Sequence, residues 1–164
     1  MPVPETRRPS ARPSRRLAAL ALAAACACAA CGTSAPGDAL TGRYYAPGGV
    51  VLAGYDPVAY FEEGRPVKGR ASFSHEHDGA TFWFATAENR DRFAADPDRY
   101  TPQYGGFCAY GMSEGYRATT EPDAFTVHEG RLYLNYDREV RRLWSAEQAR
   151  RIARADENWR KEER

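Results

Sequence analysis

Sulfur is scarce in this chain. Of its four cysteines, Cys26, Cys28 and Cys31 fall within the first 31 residues and only Cys108 lies beyond them. One of its two methionines is the initiator, and the other, Met112, follows Cys108 by one helical turn of sequence. If Cys31 is consumed by modification, Cys108 has no partner left and no internal disulfide framework is available. Histidine is limited to His75, His77 and His128. No Ser-His-Asp order, phosphate loop or paired-carboxylate signature occurs, so hydrolase and nucleotide-binding readings have no support. Charge of either sign is not in excess, with 23 Lys and Arg against 22 Asp and Glu. Nothing therefore argues for nucleic acid or an anionic membrane surface as a partner. Long apolar runs are missing too: the best, Leu17 to Ala30, is too short to span a bilayer.

That run has another reading. Arg7, Arg8, Arg12, Arg15 and Arg16 precede it, and small residues lead from it into Cys31-Gly32-Thr33-Ser34. A basic start, an apolar centre and a small-residue exit make residues 1–30 a signal peptide. A cysteine just after the apolar centre looks like a bacterial lipoprotein cleavage site, where the Cys31 thiol is lipidated and becomes the new N-terminus. Cys26, after Ala23-Ala24-Ala25, is the alternative anchor. Residues 31–49 are then expected to be a lipid anchor and flexible tether, 50–159 the folded domain, and 160–164 a charged tail. The protein is expected to be exported to the periplasm or outer cell envelope, held to the membrane through its lipid.

The folded part reads as α+β. Ten Tyr, seven Phe and three Trp supply an aromatic core. Asp78-Gly79, between alternating runs, predicts a hairpin pairing His77 with Ala80, His75 with Phe82 and Phe73 with Phe84. Glu129-Gly130 predicts a second hairpin, with Phe125, Val127, Leu132 and Leu134 on one face and His128, Arg131 and Tyr133 on the other. Each hairpin leads into a helix: Thr86 caps one that presents Phe93, and Asp137 caps one that presents Val140, Leu143 and Trp144. Ser145 with Gln148 forms a capping box for a last helix, which carries Ala149, Ile152 and Ala153 on a thin apolar stripe. Asp56, before Pro57, caps a short helix over "PVAYF". The halves look alike, since "AYFEEG" (59–64) recurs as "AYGMSEG" (109–115) and Phe93 recurs as Trp144. Two β-hairpin–helix units from an internal duplication are the expectation. That alignment places Val58 opposite Cys108, a hydrocarbon where the second copy has a thiol.

Cys108 is the candidate working group. Gly105-Gly106 just before it allows positive φ and close backbone approach, and nearby N–H groups could stabilise a thiolate. Its bland alternative is a buried thiol acting as a small hydrophobe. His75 and His77, two apart on one strand face, have a spacing that lets both imidazoles reach one metal. With Cys108 and Met112 they make two His, one Cys and one Met, the ligand types of a mononuclear copper site. Tyr55, Tyr60, Tyr104 and Tyr110 read as aromatic core with hydroxyls at the rim. His128 reads as a surface residue.

"GYDPVAYFEEGRPVKG", "HDGATFWFATAENRDRFAADPDRY" and "PQYGGFCAYGM" together resemble the exported, stand-alone YHS-domain proteins of bacteria, from about Val50 to Trp159. The resemblance implies a small treble-clef-like (YHS/TRASH-like) module associated with metals. This chain departs from the metal-binding pattern: Asp56-Pro57-Val58 is followed by Ala59-Tyr60, and "FWFATAENRDRF" has no cysteine. In the stand-alone subfamily the resemblance implies selenocysteine, in some members, at the position of Cys108. Three functions are thus expected of the chain. The first is binding of a soft transition metal, copper before zinc, through Cys108 with His75, His77 and Met112 as co-ligands. The second is thiol redox chemistry at Cys108. The third is a non-catalytic module that docks an unidentified protein partner.

Overall fold

The structure is a computed structural model that describes residues 40–163; the expected signal peptide, Cys26, Cys31 and the first part of the tether, 31–39, lie outside the described residues. The described residues fall within one compact unit, Gly32–Arg164. Order begins earlier than residue 50. Tyr44 and Tyr45 are buried, the N–H of Tyr45 donates to the carbonyl of Gly105 (2.9 Å), and Leu52 N–H donates back to Tyr45 O (3.0 Å). The end of the expected tether is therefore part of the core, because two adjacent aromatic rings there are covered by the domain.

The first half runs from a short 3₁₀ turn, Val51–Gly54, into α1 (Pro57–Glu62), β1 (Arg70–His77), β2 (Ala80–Phe84), α2 (Ala87–Ala95) and α3 (Pro97–Tyr100). The second repeats the order: a 3₁₀ turn, Gln103–Gly106, then α4 (Ala109–Ser113), β3 (Phe125–His128), β4 (Arg131–Leu134) and α5 (Arg138–Ala146), followed by α6 (Gln148–Glu162). Each hairpin is its own two-stranded antiparallel sheet. Asp78 and Glu129, both with φ 49°, followed by Gly79 and Gly130, make the mirror-image turns that suit the strand twist. Thr86 accepts from Asn89 N–H and Asp137 from Val140 N–H, so both expected caps are in place.

Four local expectations are corrected. His77 does pair with Ala80 and His75 with Phe82, but the register slips between Ser74 and Arg70, so Arg70 and not Phe73 faces Phe84. A bulge absorbs the extra residues, and Gly69 sits so close to the Trp83 backbone that a Cβ would fall 2.6 Å from its carbonyl carbon. Ser145 does not open a helix: α5 continues through it to Ala146, and α6 starts at Gln148 without a side-chain cap. The buried face of α6 is Arg151 and Ala155, with Ile152 and Trp159 half-buried, while Ala149 and Ala153 are exposed. Finally, α6 runs to Glu162, beyond the expected boundary at 159.

Two packed clusters hold these elements. Phe82, Phe84 and Phe93 stack in the first (ring centroids 4.8 and 5.1 Å), with Val58, Tyr60 and Leu134 around them. Met112, Tyr133, Trp144 and Tyr104 form the second, with Tyr133 and Trp144 rings 5.2 Å apart. Strand β4 serves both: Leu132 and Leu134 point into the first cluster and Tyr133 into the second. The strict in–out alternation expected of this hairpin therefore fails at Tyr133, whose face is covered by α5 and α6. The tie between α6 and α4 is ionic as well as apolar. Arg151, 9% exposed, donates to Ser113 Oγ (3.0 Å) and Glu114 Oε1 (2.9 Å), with its guanidinium 3.8 Å above the Tyr110 ring.

Candidate functional site

The chemistry-bearing residues sit at the entrances of the two short helices. In the first half, Leu52, Ala53 and Gly54 (φ 55°, 53° and 77°) make a left-handed turn, Tyr55 is extended, and Asp56 caps α1. Asp56 is fully buried, yet every oxygen is used: Oδ1 accepts from the N–H of Val58 (2.8 Å) and Ala59 (3.3 Å), and Oδ2 from the N–H of Ala85 (2.8 Å) and the Asn89 amide (2.7 Å). A buried carboxylate is tolerable only with such compensation. The socket combines the first-turn N–H groups of a helix with the strand-to-helix turn that precedes α2.

The second half repeats this geometry with sulfur. Tyr104, Gly105 and Gly106 (φ 55°, 62° and 87°) make the left-handed turn, Phe107 is extended, and Cys108 caps α4. Gly105 is required by space as well as φ, since a Cβ there would lie 2.0 Å from Arg43 O. Cys108 Sγ accepts from Gly111 N–H (3.4 Å), and the N–H groups of Tyr110 and Tyr136 also bear on it. Tyr136 stands just before the α5 cap Asp137, as Ala85 stands just before the α2 cap Thr86. Asp56, not Val58, is thus the residue that holds the place of Cys108. The sequence similarity aligned "AYFEEG" with "AYGMSEG", but the caps fix the register, and by it Met112 matches Tyr60, both core residues. That accounts for the spacing of Cys108 and Met112: one is the cap, the other the large side chain that the helix buries in the core.

The sulfur is 1% exposed. Burial pushes its ionisation up, while the N–H groups of Gly111, Tyr136 and Tyr110 pull it back and the Asp137 carboxylate pushes it further up; the net shift is upward. The backbone N–H of Cys108 donates to Ala118 O (3.1 Å), so the segment after α4 lies across it. Beside the sulfur is Asn135, fully buried, whose Oδ1 accepts from Tyr110 N–H (3.1 Å) and lies 3.9 Å from Sγ as acceptor of the thiol. Asn135 Nδ2 has no hydrogen-bond partner among the described residues.

The four expected metal ligands are not gathered. His75 and His77 lie half-buried against the Phe93 ring (5.8 and 5.7 Å), in the first cluster. Cys108 caps α4 and Met112 is sealed in the second cluster. Among the described residues no group of three or more His, Cys, Asp or Glu is placed to hold a metal ion. His128 is on the surface beside Glu129, at 3.8 Å. Tyr60 departs from expectation, since its hydroxyl is buried, with no hydrogen-bond partner among the described residues, rather than placed at the rim. Tyr104 hydroxyl donates to Asp156 Oδ1 (2.8 Å). Asn135 escaped the sequence reading, and its only signal was a polar side chain directly after the run Leu132-Tyr133-Leu134. Asp56 was read as a cap without its second set of donors, which come from residues distant in sequence.

Comparison of the chain with protein-family models, with curated proteins and with solved structures gives no match. Among the described residues no helix is long and apolar enough to cross a membrane.

Proposed function

We propose that this is an exported, lipid-anchored protein of the YHS type, built by duplication of a turn–helix–hairpin–helix unit, whose working group is the Cys108 thiol acting in redox chemistry. The observation that carries this is the exchange of a carboxylate for a thiol between two like sockets. Backbone N–H groups arranged as those around Asp56 favour an anion, and a thiolate or its oxidised forms are the anions a cysteine can offer. The oxidant is hydrogen peroxide. Cys108 first loses its proton to solvent; the thiolate sulfur then attacks the O–O bond, a sulfur–oxygen bond forms and hydroxide leaves to become water. Sulfur gives up two electrons and the peroxide takes them. The sulfenate oxygen then meets the donors of the socket, and the unpartnered amide of Asn135 becomes useful to it. Because burial raises the thiol, reaction at neutral pH is slow and needs the segment across Cys108 to open. The four-ligand copper arrangement draws no support from the placement of His75 and His77.

The test uses the full chain in detergent, treated with hydrogen peroxide and trapped with dimedone, with the Cys108 peptide read by mass spectrometry. A Cys108 adduct that accumulates faster as pH rises supports the proposal. An unreactive Cys108 in the folded chain, with ready reaction after denaturation, overturns it. So would stoichiometric copper uptake that Cys108→Ser abolishes while peroxide leaves the sulfur untouched; that result would restore the metal reading. Palmitate labelling lost in Cys31→Ser tests the anchor separately.

A further inference from the structure

A cavity of about 340 Å³ lies away from the sulfur, between the Pro102–Gly105 turn, the C-terminal part of α6, the start of β4 and the Arg43–Tyr44 segment. This is the lower end of the size range of small-molecule sites, ~300–1,000 Å³. Its walls are preformed. Tyr104 is held by its left-handed backbone and by its hydroxyl on Asp156, and Gly105 is pressed against the Arg43 carbonyl. Trp159, half-buried and held edge to face on the buried Tyr104 ring at 6.2 Å, gives the cavity an aromatic side.

Charge decides the ligand. Three guanidiniums, Arg43, Arg131 and Arg160, line the cavity against two carboxylates, Asp98 and Asp156. Asp156 is engaged by the Tyr104 hydroxyl. Arg43 has its own acids, Asp78 and Glu163, each at 3.7 Å. Neither Arg131 nor Arg160 forms an ion pair with a carboxylate among the described residues, whereas most other arginines of the domain do. Two exposed guanidiniums beside an aromatic wall match a planar acid, because the guanidinium fork fits a carboxylate and the rings accept a flat apolar body.

We propose that this cavity binds a small aromatic carboxylate, with Arg131 and Arg160 taking the carboxylate and Trp159 lying against the ring. The site does not depend on Cys108, so it stands or falls apart from the redox reading.

The experiment is calorimetric titration of the full chain in detergent with 4-hydroxybenzoate, beside neutral benzamide and inorganic phosphate. The expected result is saturable binding of the acid, with benzamide and phosphate at least about tenfold weaker, since each supplies only half of the recognition. Arg131→Gln with Arg160→Gln should weaken the acid by about tenfold or more while the melting temperature falls by no more than a few degrees, since both residues are exposed and only the Arg131 hydrogen bond to the Tyr133 hydroxyl is given up. Quenching of tryptophan emission that vanishes in Trp159→Phe provides a readout independent of the arginine variants. Benzamide binding as tightly as the acid, phosphate binding as tightly as the acid, or an unaltered affinity in the double variant would each overturn the assignment. So would the absence of saturation up to millimolar acid.

Discussion

Replacing Asp56 by Asn tests the socket on which both halves are built. The substitution keeps shape and volume but turns one carboxylate oxygen into an amide. Whichever oxygen is lost, two buried donors are left facing an NH₂: the N–H groups of Val58 and Ala59 on one side, or those of Ala85 and Asn89 on the other. Each buried donor left unpaired costs about 1–3 kcal/mol. The expected destabilisation is therefore about 3–5 kcal/mol, a large share of the ~5–15 kcal/mol of a typical domain. For a domain of this size that corresponds to a melting temperature lower by roughly 15 °C. Cys108→Ser, by contrast, leaves a hydroxyl that can accept from the N–H groups of Gly111, Tyr110 and Tyr136 that face the sulfur, so the loss should stay within about 1 kcal/mol. Urea unfolding followed by tryptophan emission measures both. If Asp56→Asn costs no more than about 1 kcal/mol, the usual loss of an exposed cap, the four-donor socket is not what holds α1 to α2.

Two further outcomes follow from the same geometry. Burial raises the Cys108 thiol above its ordinary value of 9.0, so the unfolded chain ionises first as the solution becomes alkaline. Stability is then intact below that value and falls as pH rises through it and the higher folded value. Urea midpoints at about pH 8 and about pH 10.5 should show the fall, with a smaller one in Cys108→Ser; the buried Tyr60 and Tyr104, also raised by burial, keep part of it. An equal fall in the variant refutes the assignment to Cys108. Gly105→Ala and Gly130→Ala share a left-handed backbone, but only the first meets an obstacle, Arg43 O at 2.0 Å, whereas nothing lies within 4 Å of the second. Gly130→Ala should cost about 1 kcal/mol and Gly105→Ala at least twice that. Equal melting temperatures would show that the Arg43–Tyr44 segment is not docked there.

The sequence by itself determined the local parts of this protein. Asp78-Gly79 and Glu129-Gly130 force mirror-image turns, Thr86, Asp137 and Asp56 cap helices, and the aromatic positions Phe93 and Trp144 mark inward faces; each depends on neighbours a few residues away. The left-handed turn at Val51–Gly54 was not legible, because Leu52 and Ala53 carry no glycine signature and tertiary contacts, the burial of Leu52 and its N–H bond to Tyr45 O, hold the turn there. Tertiary structure alone decided the rest. It buried Tyr133 by laying α5 and α6 over the outer face of β4, turned Arg151 inward to Ser113 and Glu114, and set Asn135 beside Cys108. Above all it matched Cys108 with Asp56 and not with Val58. Letter similarity follows side-chain type, whereas the equivalence of the two sockets depends on backbone N–H groups, which every residue except proline carries and no sequence pattern displays.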